Sequence, residues 1–285
     1  MPEGVGVSTL PTHTLPSGDE LPALGYGTWN LSGDALRESL RAALDAGYAH
    51  VDTAEGYRNE GVIGDVLTDY DREDVFLTSK VLAKNLSYES LIGACEDSLE
   101  RLGTEYLDLY LIHWPNPAIS LRESLSAMAT LHDRGLVRNI GVSNFSAYQL
   151  SCAHHVSDVP IAVNQIEFHP RFQRPELVEY CRETDTVVEA AAPLARTEVF
   201  DDEVVGKLAT AYDRSPAQVV LKWAIERGIV VLPKSSSPEH VRGNAQLDFS
   251  MNEADLQALD ERDRNDPVYD APARDWTDDT YGISR

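Results

Sequence analysis

The sequence predicts an α/β chain closed into a (β/α)8 barrel, the TIM barrel, behind a short N-terminal β-hairpin. Three observations carry this. Eight short β-branched or apolar runs recur along the chain, segments with helical apolar spacing lie between them, and the eight units fit within about 250 residues, the usual size of such a barrel. The 285 residues read as one domain, residues 1–285, with the hairpin over about 7–22 and a polar tail over about 265–285. The competing architecture, an open doubly wound sheet, carries GxGxxG after its first strand. The nearest match, GYGTWN at 25–30, has Asn30 in the place of the third glycine.

The hairpin rests on THTLPSGDELPAL, where Pro16, Ser17, Gly18 and Asp19 form a turn signal between two short extended runs. The eight barrel strands are ALGYGTW (23–29), HVDTA (50–54), VFLTSKV (75–81), LDLYLIH (107–113), VRNIGVS (137–143), IAVNQIE (161–167), VVEAA (187–191) and IVVLPK (229–234). Among the helices, DALRESLRAALDAG sets Leu36, Leu40, Ala43 and Leu44 on one face and stops at Gly47. SYESLIGACEDSLERLG starts at Ser87 as a cap and stops at Gly103, and LRESLSAMATLHDRG stops at Gly135. SPAQVVLKWAIERG opens with Ser215 as N-cap, Pro216 at the first helical position and Gln218 completing a capping box. Asn59 and Glu60 open a further helix after the second strand.

Charge narrows the range of partners. Asp plus Glu number 47 against 24 Lys plus Arg, a net charge of −23. Such a field repels phosphate backbones, so nucleic acid is excluded as a partner. The acidic residues are dispersed among normal apolar content, which points to a protein adapted to high salt, where screening offsets self-repulsion. No apolar run is long enough for a bilayer and MPEGVGVSTLPTHTLP lacks the marks of a secretory signal, so a cytoplasmic protein free of membrane is expected. The three cysteines, Cys95, Cys152 and Cys181, have no metal-ligand spacing and read as reduced thiols. The pair His154–His155 reads as a surface feature, and no metal site is expected. No surface stripe suggests more than a monomer.

In a barrel, chemistry sits at the C-terminal strand ends. There the chain places Thr28 and Trp29, Asp52 with Tyr57 just beyond, Lys80, His113 and Trp114, Ser143 and Asn144, Gln165, and finally Lys234 and Ser235. Taken singly, Lys80 reads as a lysine reaching solvent, His113 as a structural histidine, Tyr57 as packing and Asp52 as a helix cap. Taken together, an Asp, a Tyr, a Lys and a His on one rim form a proton-donating device. An ammonium beside a phenol lowers its pKa, a carboxylate holds the ammonium charged, and an imidazole orients the substrate oxygen.

These motifs, LGYGTW, VDTAEGYRNEGVIG, LTSKV, YLDLYLIHWP, GLVRNIGVSNF, NQIEFHP and SPAQVVLKWAIERGIVVLPKS with Asn244, resemble the aldo-keto reductase family in its order. The short segment after His113 resembles the compact prokaryotic type, similar to 2,5-diketo-gluconate reductases, here in an acidic, halophilic version. The resemblance implies NAD(P)H-dependent reduction of an aldehyde, ketone or keto-sugar. It makes Tyr57 the general acid, Lys80 and Asp52 its pKa-lowering pair, and His113 the orienting residue. It assigns cofactor contacts to Thr28, Asp52, Ser143, Asn144, Gln165, Leu194, Lys234, Ser235, Ser236, His240 and Asn244, and a carbonyl pocket to Trp29, Tyr57, His113 and Trp114. The rival reading is a nicotinamide-cofactor-sensing binding protein with vestigial activity.

Two positions depart from the family pattern. Ala191 stands where the family usually carries a ring that stacks on the nicotinamide. His240 and Gly243 stand where members using NADP(H) commonly carry Arg and Glu, so NADH is expected to be accepted alongside NADPH.

Overall fold

The computed structural model describes residues 10–269. The hairpin forms from β1 (Thr12–Thr14) and β2 (Glu20–Pro22), antiparallel, with His13 opposite Leu21. Gly18 makes its turn at φ +89°, a backbone state that glycine enters without strain.

Then follow β3 (Tyr26–Gly27), α1 (Gly33–Asp45), β4 (His50–Asp52), α2 (Glu60–Leu67), β5 (Phe76–Val81), α3 (Tyr88–Leu102), β6 (Leu107–Ile112), α4 (Leu121–Asp133), β7 (Val137–Ser143), α5 (Ala147–Val156), β8 (Ile161–Glu167), α6 (Pro175–Glu183), β9 (Val187–Ala191), α7 (Glu203–Tyr212), α8 (Pro216–Glu226), β10 (Val230–Val231), α9 (Pro238–Asn244) and α10 (Glu253–Asp260). The strands β3 to β10 form one parallel sheet in chain order. A parallel bridge between Leu24 and Val231 joins its two edges and closes the barrel. Gly27 sits at that seam, where a Cβ would come within 2.9 Å of the Leu232 carbonyl oxygen.

Two apolar layers hold the barrel. Outside, the strands pack against the helices through residues such as Leu36, Leu40, Leu91, Leu131, Val219 and Trp223. Inside, Leu15 and Leu21 of the hairpin meet Phe76, Leu109, Leu111, Val163 and Val230. The hairpin therefore plugs the N-terminal end, which leaves the C-terminal end open for polar side chains. Ser17 and Asn139 fasten the plug, Asn139 Nδ2 donating to Ser17 Oγ at 2.8 Å.

The capping box of α8 forms as predicted, with Gln218 N donating to Ser215 Oγ at 3.2 Å and Ser215 N donating to Gln218 Oε1 at 2.8 Å. Two other caps differ from expectation. Ser87 occupies the N-cap of α3, yet its hydroxyl bonds Ser90 Oγ at 2.9 Å. Asn59 precedes α2, yet its amide donates to the carbonyls of Thr28 and Leu31, at 2.9 and 3.0 Å, and so ties down the loop after β3. His154 is half-buried, bonded to Thr186 Oγ1 at 3.1 Å, so only His155 of that pair is exposed. The predicted hairpin residues 7–9 and tail residues 270–285 lie outside the described part of the chain. No helix among the described residues is long and apolar enough to cross a membrane.

Candidate active site

The strand register brings Asp52 of β4 and Lys80 of β5 to the same end of the barrel, because Asp52 pairs with Thr78 and Lys80 follows two residues later on the same face. Lys80 Nζ donates to Asp52 Oδ1 at 2.7 Å, to the Thr53 carbonyl at 2.9 Å and toward Tyr57 Oη at 3.4 Å. Tyr57 lies on a short 3-10 turn, Glu55–Tyr57, just beyond β4. Glu55 fixes that turn to the next strand by accepting from Leu82 N at 2.8 Å and Asn85 Nδ2 at 2.6 Å. The ring of His113, at the end of β6, meets the Tyr57 ring edge-on at a centroid distance of 5.5 Å. The four residues predicted to act together are thus brought together.

The electrostatic balance differs from the sequence expectation at Tyr57. Burial pushes its phenol well above the usual tyrosine range, and the Asp52 charge adds to the rise. The neighbouring ammonium, 3.4 Å away, does not outweigh them. The phenol therefore keeps its proton at neutral pH. His113 is driven down to about 3, by burial first and the Lys80 charge second, so its imidazole is neutral.

Around this group, Asn144 takes a left-handed backbone, φ +63°, and its amide donates to the His113 carbonyl and to Ser143 Oγ, both at 3.0 Å. Gln165 Nε2 donates both to Asp52 Oδ2 at 2.9 Å and to Glu189 Oε2 at 2.8 Å. Thr28 is fully buried, with its hydroxyl donating to the Asp52 carbonyl at 2.9 Å.

A cavity of about 380 Å³ opens here, lined by Trp29, Asp52, Tyr57, Gln165, Leu194 and Lys234, together with Ala191, Arg196 and Tyr269. Ser235 and Ser236 follow Lys234. The hydroxyl of Ser237, next in line, caps α9 by accepting from His240 N at 3.4 Å. Asn244 is buried at the far end of that helix. Trp114, next to His113, lines a neighbouring apolar cavity of about 480 Å³ with Pro115, Ile119, Asn144 and Phe145.

Three residues were missed. Arg196 lies over the Trp29 ring at 5.3 Å and over the Tyr269 ring at 5.6 Å. Tyr269 is held there because Glu167 accepts from the backbone N–H of Val268 at 2.5 Å and of Tyr269 at 3.0 Å. These two side chains line the space beside Ala191. The third is Glu189, fully buried inside the barrel. Only Glu189 left a signal, as the lone charge within VVEAA.

The fold and the site define a barrel oxidoreductase. The chain belongs to the aldo/keto reductase family, whose pattern matches residues 23–264. It is 37% identical over 261 residues to a glyoxal reductase of Bacillus subtilis (strain 168), covering 90% of this chain and 94% of that one. The solved structure of a putative 2,5-diketo-D-gluconic acid reductase B superposes with a TM-score of 0.87 at 31% identity, covering 90% of this chain and 93% of that one. An aldo-keto reductase of Bombyx mori in complex with NADP superposes with a TM-score of 0.86 at 30% identity, covering 92% and 95%.

Proposed function

We propose that the protein uses NADP(H), and also NAD(H), to reduce an aldehyde, ketone or keto-sugar to the alcohol, with Tyr57 as the general acid. The observation that carries this is the phenol of Tyr57, in the wall of the cavity, set 3.4 Å from the buried Nζ of Lys80. The residues present suit a nicotinamide nucleotide. Among the described residues no donor faces Gln165 Oε1, so an amide acceptor is free, and Lys234 and Arg196 supply positive charge at the same cavity. The nicotinamide, when bound, supplies the hydride.

The chain's own groups do the rest. Tyr57 donates its proton to the carbonyl oxygen as negative charge gathers there. The phenolate left behind gains from the Lys80 ammonium, which the phenol did not need, so the interaction strengthens along the reaction. Asp52 aims Lys80 through the 2.7 Å bond to its Nζ. The neutral imidazole of His113 offers a ring N–H to the same oxygen. The cavity suits a small carbonyl compound, and glyoxal belongs in the first panel because a relative carries that name.

The test is loss of NADPH absorbance with a panel of aldehydes and keto-sugars, with Tyr57→Phe as the control. Turnover by the parent and a fall of about 10²–10⁴ in the variant, with cofactor still bound, are expected. Cofactor binding without turnover by the parent would overturn this and favour the cofactor-sensing reading.

A further inference from the structure

Glu189 is a carboxyl with no place in the chemistry above. It lies inside the barrel with no exposure, on β9, in register with Gln165 of β8 and Val230 of β10. A leucine or valine would fill that layer at less cost, since a buried carboxyl must find hydrogen bonds or lose solvation energy. Glu189 finds only half of them. Oε2 accepts from Gln165 Nε2 at 2.8 Å, while Oε1 has no hydrogen bond among the described residues. The charged and titratable groups that face it are His50 and Asp52 of β4 and Lys80 of β5. His50 Nε2 lies 3.9 Å from Oε1.

The other side of this arrangement is the amide of Gln165. A primary amide has two N–H donors and one oxygen acceptor, and its orientation is free unless its partners choose it. Here both donors are taken, one by Asp52 Oδ2 at 2.9 Å and one by Glu189 Oε2. Asp52 Oδ2 can only accept, and Glu189 Oε2 accepts here because a proton on that carboxyl rides on Oε1, so a flipped amide would set its oxygen against Asp52 Oδ2 and lose both bonds.

We propose that Glu189 is a positioning residue: with Asp52 it captures both N–H groups of Gln165, so that Gln165 presents only its oxygen to the cavity. The ligand group that this oxygen selects is an N–H donor, such as a primary carboxamide. This step rests on the nicotinamide reading above. Glu189 holds its proton at neutral pH, burial having pushed it up to about 8, with the Asp52 charge adding to the rise. The buried cluster of Asp52, Lys80 and Glu189 is then electrically balanced while Gln165 stays locked.

The test compares binding of NADPH with that of its reduced 3-acetylpyridine analogue, in which a methyl replaces the carboxamide NH2. The parent is expected to favour NADPH by about tenfold, the worth of one hydrogen bond. Glu189→Leu frees the Gln165 amide and is expected to shrink that preference to within about threefold, whereas Glu189→Gln, whose amide oxygen still accepts, retains most of it. An unchanged preference in Glu189→Leu, or none in the parent, would overturn the proposal. Failure of the parent to bind NADPH at all would instead defeat the cofactor reading beneath it. If Glu189→Leu does not fold, the parent itself decides. The side-chain NH2 protons of Gln165, assigned by their loss in Gln165→Met, are expected to exchange slowly with solvent and to shift as Glu189 ionises. Fast exchange without such a shift would overturn the lock.

Discussion

Lys80 Nζ sits 2.7 Å from Asp52 Oδ1, and both side chains are shut away from solvent, at 0% and 5% exposure. Removing one partner leaves the other charge buried and unpaired, which costs about 3–5 kcal/mol. Lys80→Met is therefore expected to lower the urea midpoint sharply as well as to reduce turnover. Asp52→Asn, which keeps a hydrogen-bonding group beside the ammonium, is expected to lose less stability. Equal midpoints for Lys80→Met and the parent would show that the pair is not closed off as described.

The neutral state of His113 fixes an expectation for the pH profile of reduction. Its imidazole takes a proton only near pH 3, and the Tyr57 phenol gives up its proton only above the usual tyrosine range. Over the interval between, both groups keep one protonation state. The rate of reduction, as kcat/KM, is expected to run flat from about pH 5 to about pH 8, with no inflection near the ordinary histidine value of about 6.5. An inflection there that vanishes in His113→Asn would show that the imidazole titrates in the working enzyme.

The lines of this site visible in the sequence were those where a polar residue ends an apolar run. Lys80 after VFLTS and His113 after LYLI can lie only at a strand end, and the alternation of a parallel barrel decides which end. The direction of a side chain beyond a strand end, such as that of Trp114, depends on the turn that follows, which the apolar run itself does not specify. Arg196 and Tyr269 could not be placed at all. One sits in a loop with left-handed backbone at Ala195, Arg196 and Thr197, and the other is carried in by backbone bonds to Glu167, more than a hundred residues away in sequence. Such positions follow from tertiary anchors that local periodicity does not encode. Glu189 was legible as an anomaly, but its partners became nameable only once the register of β8 and β9 was known.

Two buried groups set opposite slopes in stability against pH. Glu189 binds its proton up to about 8 in the folded chain against an ordinary 4.5. Its contribution is complete below 4.5 and is lost as the pH rises through 8, because the unfolded chain sheds the proton first. His50 is held down to about 3 against 6.5, by burial and then by the Lys80 charge, so the unfolded chain takes up a proton that the folded one refuses. Stability therefore falls as the pH drops from 6.5 through about 3. The difference in Tm between Glu189→Gln and the parent is expected to shift steadily in favour of the variant from about pH 5 to about pH 9. A difference independent of pH would mean that Glu189 ionises normally.

Cofactor preference turns on the segment after β10. His240 is exposed on α9 and carries no guanidinium, while Lys234 and Arg242 lie nearby in sequence. Without a guanidinium fork at 240, discrimination by the 2′-phosphate is expected to stay below about a thousandfold in kcat/KM, or roughly 4 kcal/mol. His240→Arg is expected to raise the preference for NADPH by lowering its KM alone. A parent that already excludes NADH beyond that ratio would refute this.

The excess of acid bears on how the fold is kept. With 47 acidic and 24 basic residues, the carboxylates outnumber the cations that could pair with them, and the excess repels across the surface. The exposed pairs that do form, such as Arg37–Asp65 and Arg41–Asp69 at 2.6 Å each, are worth little in water. Raising the salt weakens both the repulsion and these pairs, and the repulsion, being the larger sum, decides the sign. The screening length falls from about 10 Å at 0.1 M to about 3 Å at 1 M. The Tm is accordingly expected to climb as KCl rises toward molar levels, and variants that replace exposed Glu by Lys on the outer helices are expected to climb less. A Tm that stays level or falls with KCl would show that the acidic surface carries no such adaptation.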